Sequence, residues 1–176
     1  MRVRPATPAD AAACVEIYRP YVLDTVITFE TKVPTVEEMA ERIVDARVMH
    51  EWLVLEADGD VIGYAYAHQF NSRAAYQWSV ETSVYLAQDR RRAGGGRMLY
   101  TELLRRLTER GFRRAFAGIA QPNEASNGLH HAFGFRRAGR YRRVGWKLGA
   151  WHDVEWWQLD LLGPDAGAEA PRPITT

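Results

Sequence analysis

Cysteine is nearly missing from this chain: Cys14 is the only one among 176 residues. One cysteine cannot close an intrachain disulfide or build a cysteine metal cluster, so the fold must hold by core packing alone. Lysine is almost as scarce. Of 23 basic residues only Lys32 and Lys147 are lysine, and arginine is scattered along the whole chain as a coding bias would scatter it. Charge of either sign is not in excess. The formal net charge is +1, which leaves no global basic field to draw the protein to nucleic acid. Long apolar runs are lacking too. None approaches the ~20 residues of a membrane span, and the opening "MRVRPATPAD" has no apolar segment of a secretory signal. These absences make the cytoplasm the expected location, with no membrane and no nucleic acid as partner.

What is present is ordinary globular material, 47% hydrophobic and 26% charged, in a length that suits one domain. "RVRPAT" reads as a short strand stopped by proline. "TPADAAACVEIYRPYV" reads as a helix capped by Thr7, with Pro8 in its first turn and Asp10 favouring its dipole; Pro20 is expected to kink or end it. Thr35 followed three residues later by Glu38 opens a second helix in capping-box fashion. "EWLVLEADGDVIGYAYAHQF" is two apolar runs around a hairpin signal. "QWSVETSVYL" alternates, with Trp78, Val80, Thr82, Val84 and Leu86 on one face and Ser79, Glu81, Ser83 and Tyr85 on the other. Met98, Leu99, Leu103, Leu104 and Leu107 keep helical spacing up to a stop at Gly111. "RRAFAGIA" reads as a strand, "NEASNGLHHAFG" as a short helix, and "RRAGRYRRVGWKLG" and "WHDVEWWQLDLL" as two last strands. From Gly163 the chain is small, polar and proline-rich, which predicts a domain over 1–163 and a disordered tail over 164–176. The order β-α-α-β-β-β-α-β-α-β-β predicts a mixed α/β domain, a sheet flanked by helices.

"DRRRAGGGRMLY" is the most unusual stretch. A glycine inside a regular element costs roughly 0.5–1 kcal/mol against alanine, and three adjacent ones suggest backbone that something must approach. They stand between a strand ending near Leu86 and a helix starting near Gly95, where four unpaired N–H groups and the positive dipole end would face outward. Arg90, Arg91, Arg92 and Arg97 add cationic donors. The stretch therefore reads as an anion cradle, or as a flexible turn with solvated arginines. A P-loop would need lysine after the glycines, and the dinucleotide fingerprint breaks at Leu99. Arg91-Arg92-Ala93-Gly94-Gly95-Gly96 does fit the pattern Q/R-x-x-G-x-G/A.

That pattern resembles the pyrophosphate loop of the GNAT acetyltransferase superfamily, and the element order matches that of the superfamily. Within it, "RPATPAD", "WLVLEADGDVIGYAYA", "RAAYQWSVETSVYL", "QPNEAS", "LHHAFGF" and above all "GAWHDVEWWQLD" are similar to the phosphinothricin N-acetyltransferase family over nearly the whole chain except the tail. The resemblance implies a mostly antiparallel sheet with splayed central strands, acetyl-CoA as co-substrate, no metal, and a homodimer. It implies an amino-acid-like small-molecule acceptor, such as phosphinothricin, methionine sulfoximine or methionine sulfone.

The residues carry this chemistry as follows. An ammonium must lose a proton before it attacks a thioester, and a carboxylate can take it. Glutamate is depleted in strands, so Glu81 is the candidate base, although a solvated face or a paired charge would also place it there. His130 stands in "LHHAFGF" where many GNAT proteins carry tyrosine, and it is the candidate acid or second base, with packing as the plain reading. His131 faces another way, so the pair makes a poor metal site. The resemblance assigns cofactor contacts to Val84, Tyr85 and Leu86, to Arg91, Arg92, Ala93, Gly94, Gly95, Gly96 and Arg97, and to Asn123 and Ser126, the last two also being good helix caps. Arg73 and Tyr76 match positions near the amino-acid substrate; an arginine fork suits a carboxylate or phosphinate. Phe29, Trp151 and His152 are candidate pocket walls. Three other readings stay open: a GNAT protein for another amine, polyamine or protein terminus; a nucleic-acid module using Arg90–Arg92 and "RRAGRYRR"; and a protein that holds acetyl-CoA without catalysis.

Overall fold

In the computed structural model, which describes residues 1–90 and 94–163, a seven-stranded sheet separates two apolar layers. The strands are β1 (Arg2–Pro5), β2 (Trp52–Ala57), β3 (Asp60–Gln69), β4 (Ser79–Leu86), β5 (Arg114–Ala120), β6 (Arg136–Lys147) and β7 (Ala150–Asp160), in the order β1-β2-β3-β4-β5-β7-β6. Four helices accompany them: α1 (Ala11–Asp24), α2 (Val36–Met49), α3 (Gly95–Arg110) and α4 (Glu124–Ala132). Arg91, Arg92, Ala93 and the expected tail lie outside the described residues.

Each helix follows from its sequence. Thr35 Oγ1 accepts from Glu38 N–H at 3.1 Å and the Glu38 carboxylate accepts from Thr35 N–H at 2.7 Å, which closes the capping box of α2. At the first helix Asp10 does more than complement a dipole. It accepts from Thr7 N–H at 2.7 Å and takes the Arg4 guanidinium with both carboxylate oxygens, tying β1 to the helix start. Pro20 does not end α1: the helix runs on to Asp24. The missing hydrogen bond costs about 3 kcal/mol, and the burial of Tyr21 and Val22 just beyond it, each side chain contributing roughly 1.5–3 kcal/mol, offsets that cost.

The two-residue turn Asp58–Gly59 has positive φ at both positions, 54° and 93°, as the hairpin between β2 and β3 requires. Even-numbered residues of β4 and the inner face of α3 (Leu99, Tyr100, Leu103, Leu104, Leu107) form one core layer with β5 and β7. Tyr85 from the opposite face of β4 joins Cys14, Tyr18, Tyr21, Val22, Met39 and Ile43 of α1 and α2 in the other.

The feature that positions the site is a parting in the sheet. β3 and β4 pair over seven residues and β5 and β7 over seven, but the parallel pair β4–β5 holds only at Ser79, Val80 and Glu81. Beyond Glu81 the two central strands splay, as the resemblance implies.

Candidate active site

The splay leaves a slot of about 50 Å³ lined by Thr82, Ser83, Val84 and Tyr85 of β4, Ala117, Gly118 and Ile119 of β5, Asn123, Ser126 and His130 of α4, Tyr100 of α3, and Ile27. Backbone accounting shows what β4 offers it. Ala87 N–H bonds to Ile62 O at 2.9 Å, so the odd-numbered residues of β4 exchange hydrogen bonds with β3. The N–H and C=O of Thr82, Val84 and Leu86 therefore face the other way, toward the side where β5 departs. The Tyr21 hydroxyl donates to Leu86 O at 2.7 Å, so that carbonyl is already engaged. Of the three expected backbone contacts, Val84 presents its backbone to the gap, Tyr85 pairs with Tyr64, and Leu86 lies outside the slot lining.

Glu81 stands at the foot of the gap, on the α1–α2 face, half-buried. Burial pushes its carboxyl above the ordinary carboxylate value, with His68 opposing the rise. His130 reaches the gap from the opposite, α3 face and is buried at 3% exposure. Its Nδ1 is 2.8 Å from Ser126 O; a carbonyl only accepts, so Nδ1 carries the hydrogen and Nε2 accepts from the Tyr100 hydroxyl at 2.9 Å. The Tyr100 oxygen is also 3.1 Å from Thr82 Oγ1, which in turn donates to Phe116 O at 3.1 Å. Burial pushes His130 down, which keeps the imidazole neutral at neutral pH. Sequence reasoning missed Tyr100 and Thr82. A tyrosine at helical spacing on an apolar face reads as core, and only its hydroxyl's partners reveal more.

The glycines divide their work. Gly94 has φ 81° and caps α3, with nothing within 4 Å of where a Cβ would stand. That is open, left-handed backbone in front of the N–H groups of a 16-residue helix. Gly95 is bare for another reason: a Cβ there would come within 2.7 Å of Leu55 Cδ2 and 3.2 Å of Leu86 Cδ2. A Cβ on Gly96 would make ordinary contact with Leu129 at 3.6 Å. Arg97 is exposed on the first turn. Asn123 caps α4, its Oδ1 accepting from Ser126 N–H at 3.1 Å, so both residues hold the helix while lining the slot.

The expected pocket residues form two groups. Phe29 lies on Gly145, where any Cβ would run into its ring, and its ring centroid is 6.5 Å from that of His152. His152 and Trp151 line a second hollow with Gln121, Pro122, Arg140 and Asp153. Arg73 precedes a 3-10 turn, Ala74–Tyr76, and Tyr76 meets Phe70 at 5.9 Å beside Phe116 and Trp156. Lys147, unforeseen, is buried and donates to Thr28 O at 2.7 Å, pinning the segment that carries Phe29 to the β6–β7 hairpin. Its signal in the sequence was being a lysine at all in an arginine-rich chain. Among the described residues no group of three or more His, Cys, Asp or Glu is placed to hold a metal, and no helix is long and apolar enough to cross a membrane.

A slot with unpaired strand backbone, an exposed helix N-terminus beyond it, a carboxylate at one face and a tyrosine–histidine pair at the other is suited to hold an elongated, phosphorylated molecule and move protons at its end. Comparison with known proteins agrees. Residues 3–156 match the family model described as an acetyltransferase (GNAT) domain. Phosphinothricin N-acetyltransferase of Streptomyces viridochromogenes is 39% identical over 99% of this chain and 95% of that protein. L-methionine sulfoximine/L-methionine sulfone acetyltransferase of Salmonella typhimurium is 35% identical over 94% of this chain and 99% of that protein. The crystal structure of a phosphinothricin acetyltransferase from Sinorhizobium meliloti, solved with AcCoA, superposes with a TM-score of 0.91 at 38% identity, covering 97% of this chain and 92% of that one.

Proposed function

This chain belongs to the GNAT acetyltransferase family, and from that premise we propose that it acetylates the amino group of phosphinothricin or a similar small amino-acid analogue, methionine sulfoximine or methionine sulfone. It is an acetyl-CoA-dependent acetyltransferase acting on a small amine; the choice of amine is the proposal. The parting of β4 from β5 directly after Glu81 is the observation that supports the acetyl-transfer reading, because it sets a carboxylate beside the point at which an extended arm can lie between the strands.

The residues present fit acetyl-CoA. The open backbone at Gly94 and the first N–H groups of α3 would take its pyrophosphate, with Arg97 close by. Val84 would pair with the pantetheine arm as a missing strand would. Bound there, the molecule supplies an acetyl thioester as electrophile. Glu81 takes a proton from the incoming ammonium on the α1–α2 face, and burial, which raises its carboxyl above the ordinary carboxylate value, makes it the better proton acceptor. On the α3 face the Tyr100 hydroxyl, hydrogen-bonded to His130, would be the group to protonate the thiolate released from acetyl-CoA. Because burial keeps His130 neutral with its hydrogen on Nδ1, its Nε2 only accepts, and its role is to orient the Tyr100 hydroxyl. Arg73 would fork the acceptor's carboxylate or phosphinate, with Tyr76, Phe29, Trp151 and His152 as walls.

Tyr141, Val144, Trp146, Leu148 and Trp151 are large apolar residues left exposed on the β6–β7 hairpin. They support a homodimer built through that hairpin; sedimentation at the 20.0 kDa of one chain would exclude it.

The test is thiol release from acetyl-CoA by purified protein, with phosphinothricin, methionine sulfoximine, methionine sulfone, the common amino acids and a polyamine supplied separately. We expect fast release with the first three and little elsewhere. Release with a polyamine or a common amino acid alone would move the acceptor elsewhere while leaving the family unchanged.

A further inference from the structure

We propose that His68 carries the amine's proton from Glu81 out to solvent, through the side-by-side placement that β3 and β4 give the two residues. The inference rests on the reading of Glu81 as the base. An ammonium acceptor loses two protons in each turnover: one ends on the thiol of CoA, and the other must leave the protein. Glu81 is half-buried where β3, β4 and β5 still pair, and a more exposed group stands beside it to carry the proton out.

His68 lies directly opposite Glu81 in the β3–β4 register, at a hydrogen-bonded pair position. Its Nδ1 is 3.1 Å from Gln69 O, a group that only accepts, so Nδ1 holds the hydrogen and Nε2 keeps its lone pair. That Nε2 faces Glu81 Oε2 at 4.0 Å, a gap that one bridging water spans. The His68 side chain is 44% exposed against 27% for Glu81, so accessibility rises along the path.

The exit is a cavity of about 410 Å³ between α2 and the sheet, which His68 lines with Arg42, Asp45, His50, Trp52 and Tyr66. Of the charged and titratable groups there, Arg42 is held by Glu30 at 2.7 and 3.1 Å, His50 stacks on Phe112, Tyr66 stacks on His68 at 5.9 Å, and Asp45 is the acidic group that favours a passing imidazolium. The step balances simply. Through a bridging water, the O–H bond of protonated Glu81 breaks as a water O–H bond forms, and another O–H bond of that water breaks as an N–H bond forms at His68 Nε2; the imidazolium then gives its Nε2 proton to water in the cavity, and all groups return to their starting forms. His68 carries the proton without touching substrate or cofactor and takes no part in the acyl transfer.

The experiment compares His68→Ala, His68→Gln and Glu81→Gln at saturating acetyl-CoA and amine in dilute buffer, with and without added imidazole. We expect both His68 variants to lose kcat, by less than the roughly 100-fold or more expected on removing a general base, with KM for both substrates near wild type. Added imidazole should restore most of that loss in His68→Ala and nothing in Glu81→Gln. Wild-type kcat in the His68 variants, or a loss that imidazole leaves untouched, overturns the relay while an inactive Glu81→Gln keeps the base. Full activity in Glu81→Gln overturns the base reading itself. His68→Gln keeps a polar cross-strand partner, so the comparison stands if the alanine variant is poorly folded.

Discussion

Glu81 sits where a strand would sooner carry an apolar or β-branched residue, and the fold bears the cost. Burial raises its folded-state pKa, so the neutral acid is the form the fold prefers. The stability this contributes is full below the ordinary carboxylate pKa and is lost as pH rises through the raised value. Above that window the fold carries a partly desolvated carboxylate that glutamine does not impose. Glu81→Gln should therefore melt above wild type at pH 8 and close to it at pH 4; a lower melting temperature than wild type at pH 8 would show that the carboxylate is held by favourable contacts instead. At this scale the sequence was partly legible. A mid-strand glutamate announces itself, and so did His130 once its motif was seen. Tyr100, Thr82, His68 and Lys147 did not, because what they do is defined by partners 13 to 119 residues away in the chain, and spacing cannot show a partner.

Among the elements, the caps and turns were the most readable parts: Thr35 with Glu38, Asp58–Gly59 and Gly111 each satisfy a local rule, and each stands where that rule puts it. Local rules fell short at Pro20, where the helix runs on past the proline, and at Gly95, where packing gives a second reason for a bare backbone beside the anion-binding one. Gly95 serves packing beneath the loop, between Leu55 and Leu86, which are themselves core or near-core side chains. Gly95→Ala should destabilise by about 1–3 kcal/mol, the usual cost of overpacking, read from the midpoint of a urea titration. Stability equal to wild type would mean that Leu55 and Leu86 yield freely and that the glycine is kept for the ligand alone.

On the scale of the whole molecule, function comes from one irregularity in an otherwise continuous sheet. Three paired residues between β4 and β5, followed by divergence, open a slot to which one core layer sends Glu81's face and the other sends Tyr100 and His130. Element order and family resemblance were enough to expect a splayed sheet. The placement of β7 between β5 and β6, and of the two candidate groups on opposite faces, needed the register. The central claim is that this parting delivers Glu81 as the base for an acetyl-CoA-dependent transfer. The measurement that tests it most directly is kcat of Glu81→Gln beside wild type on the best acceptor, with acetyl-CoA affinity measured on the same preparations. A loss of roughly 100-fold or more in kcat, the size expected when a general base is removed, at unchanged acetyl-CoA affinity is the predicted result. Wild-type turnover by Glu81→Gln would contradict it.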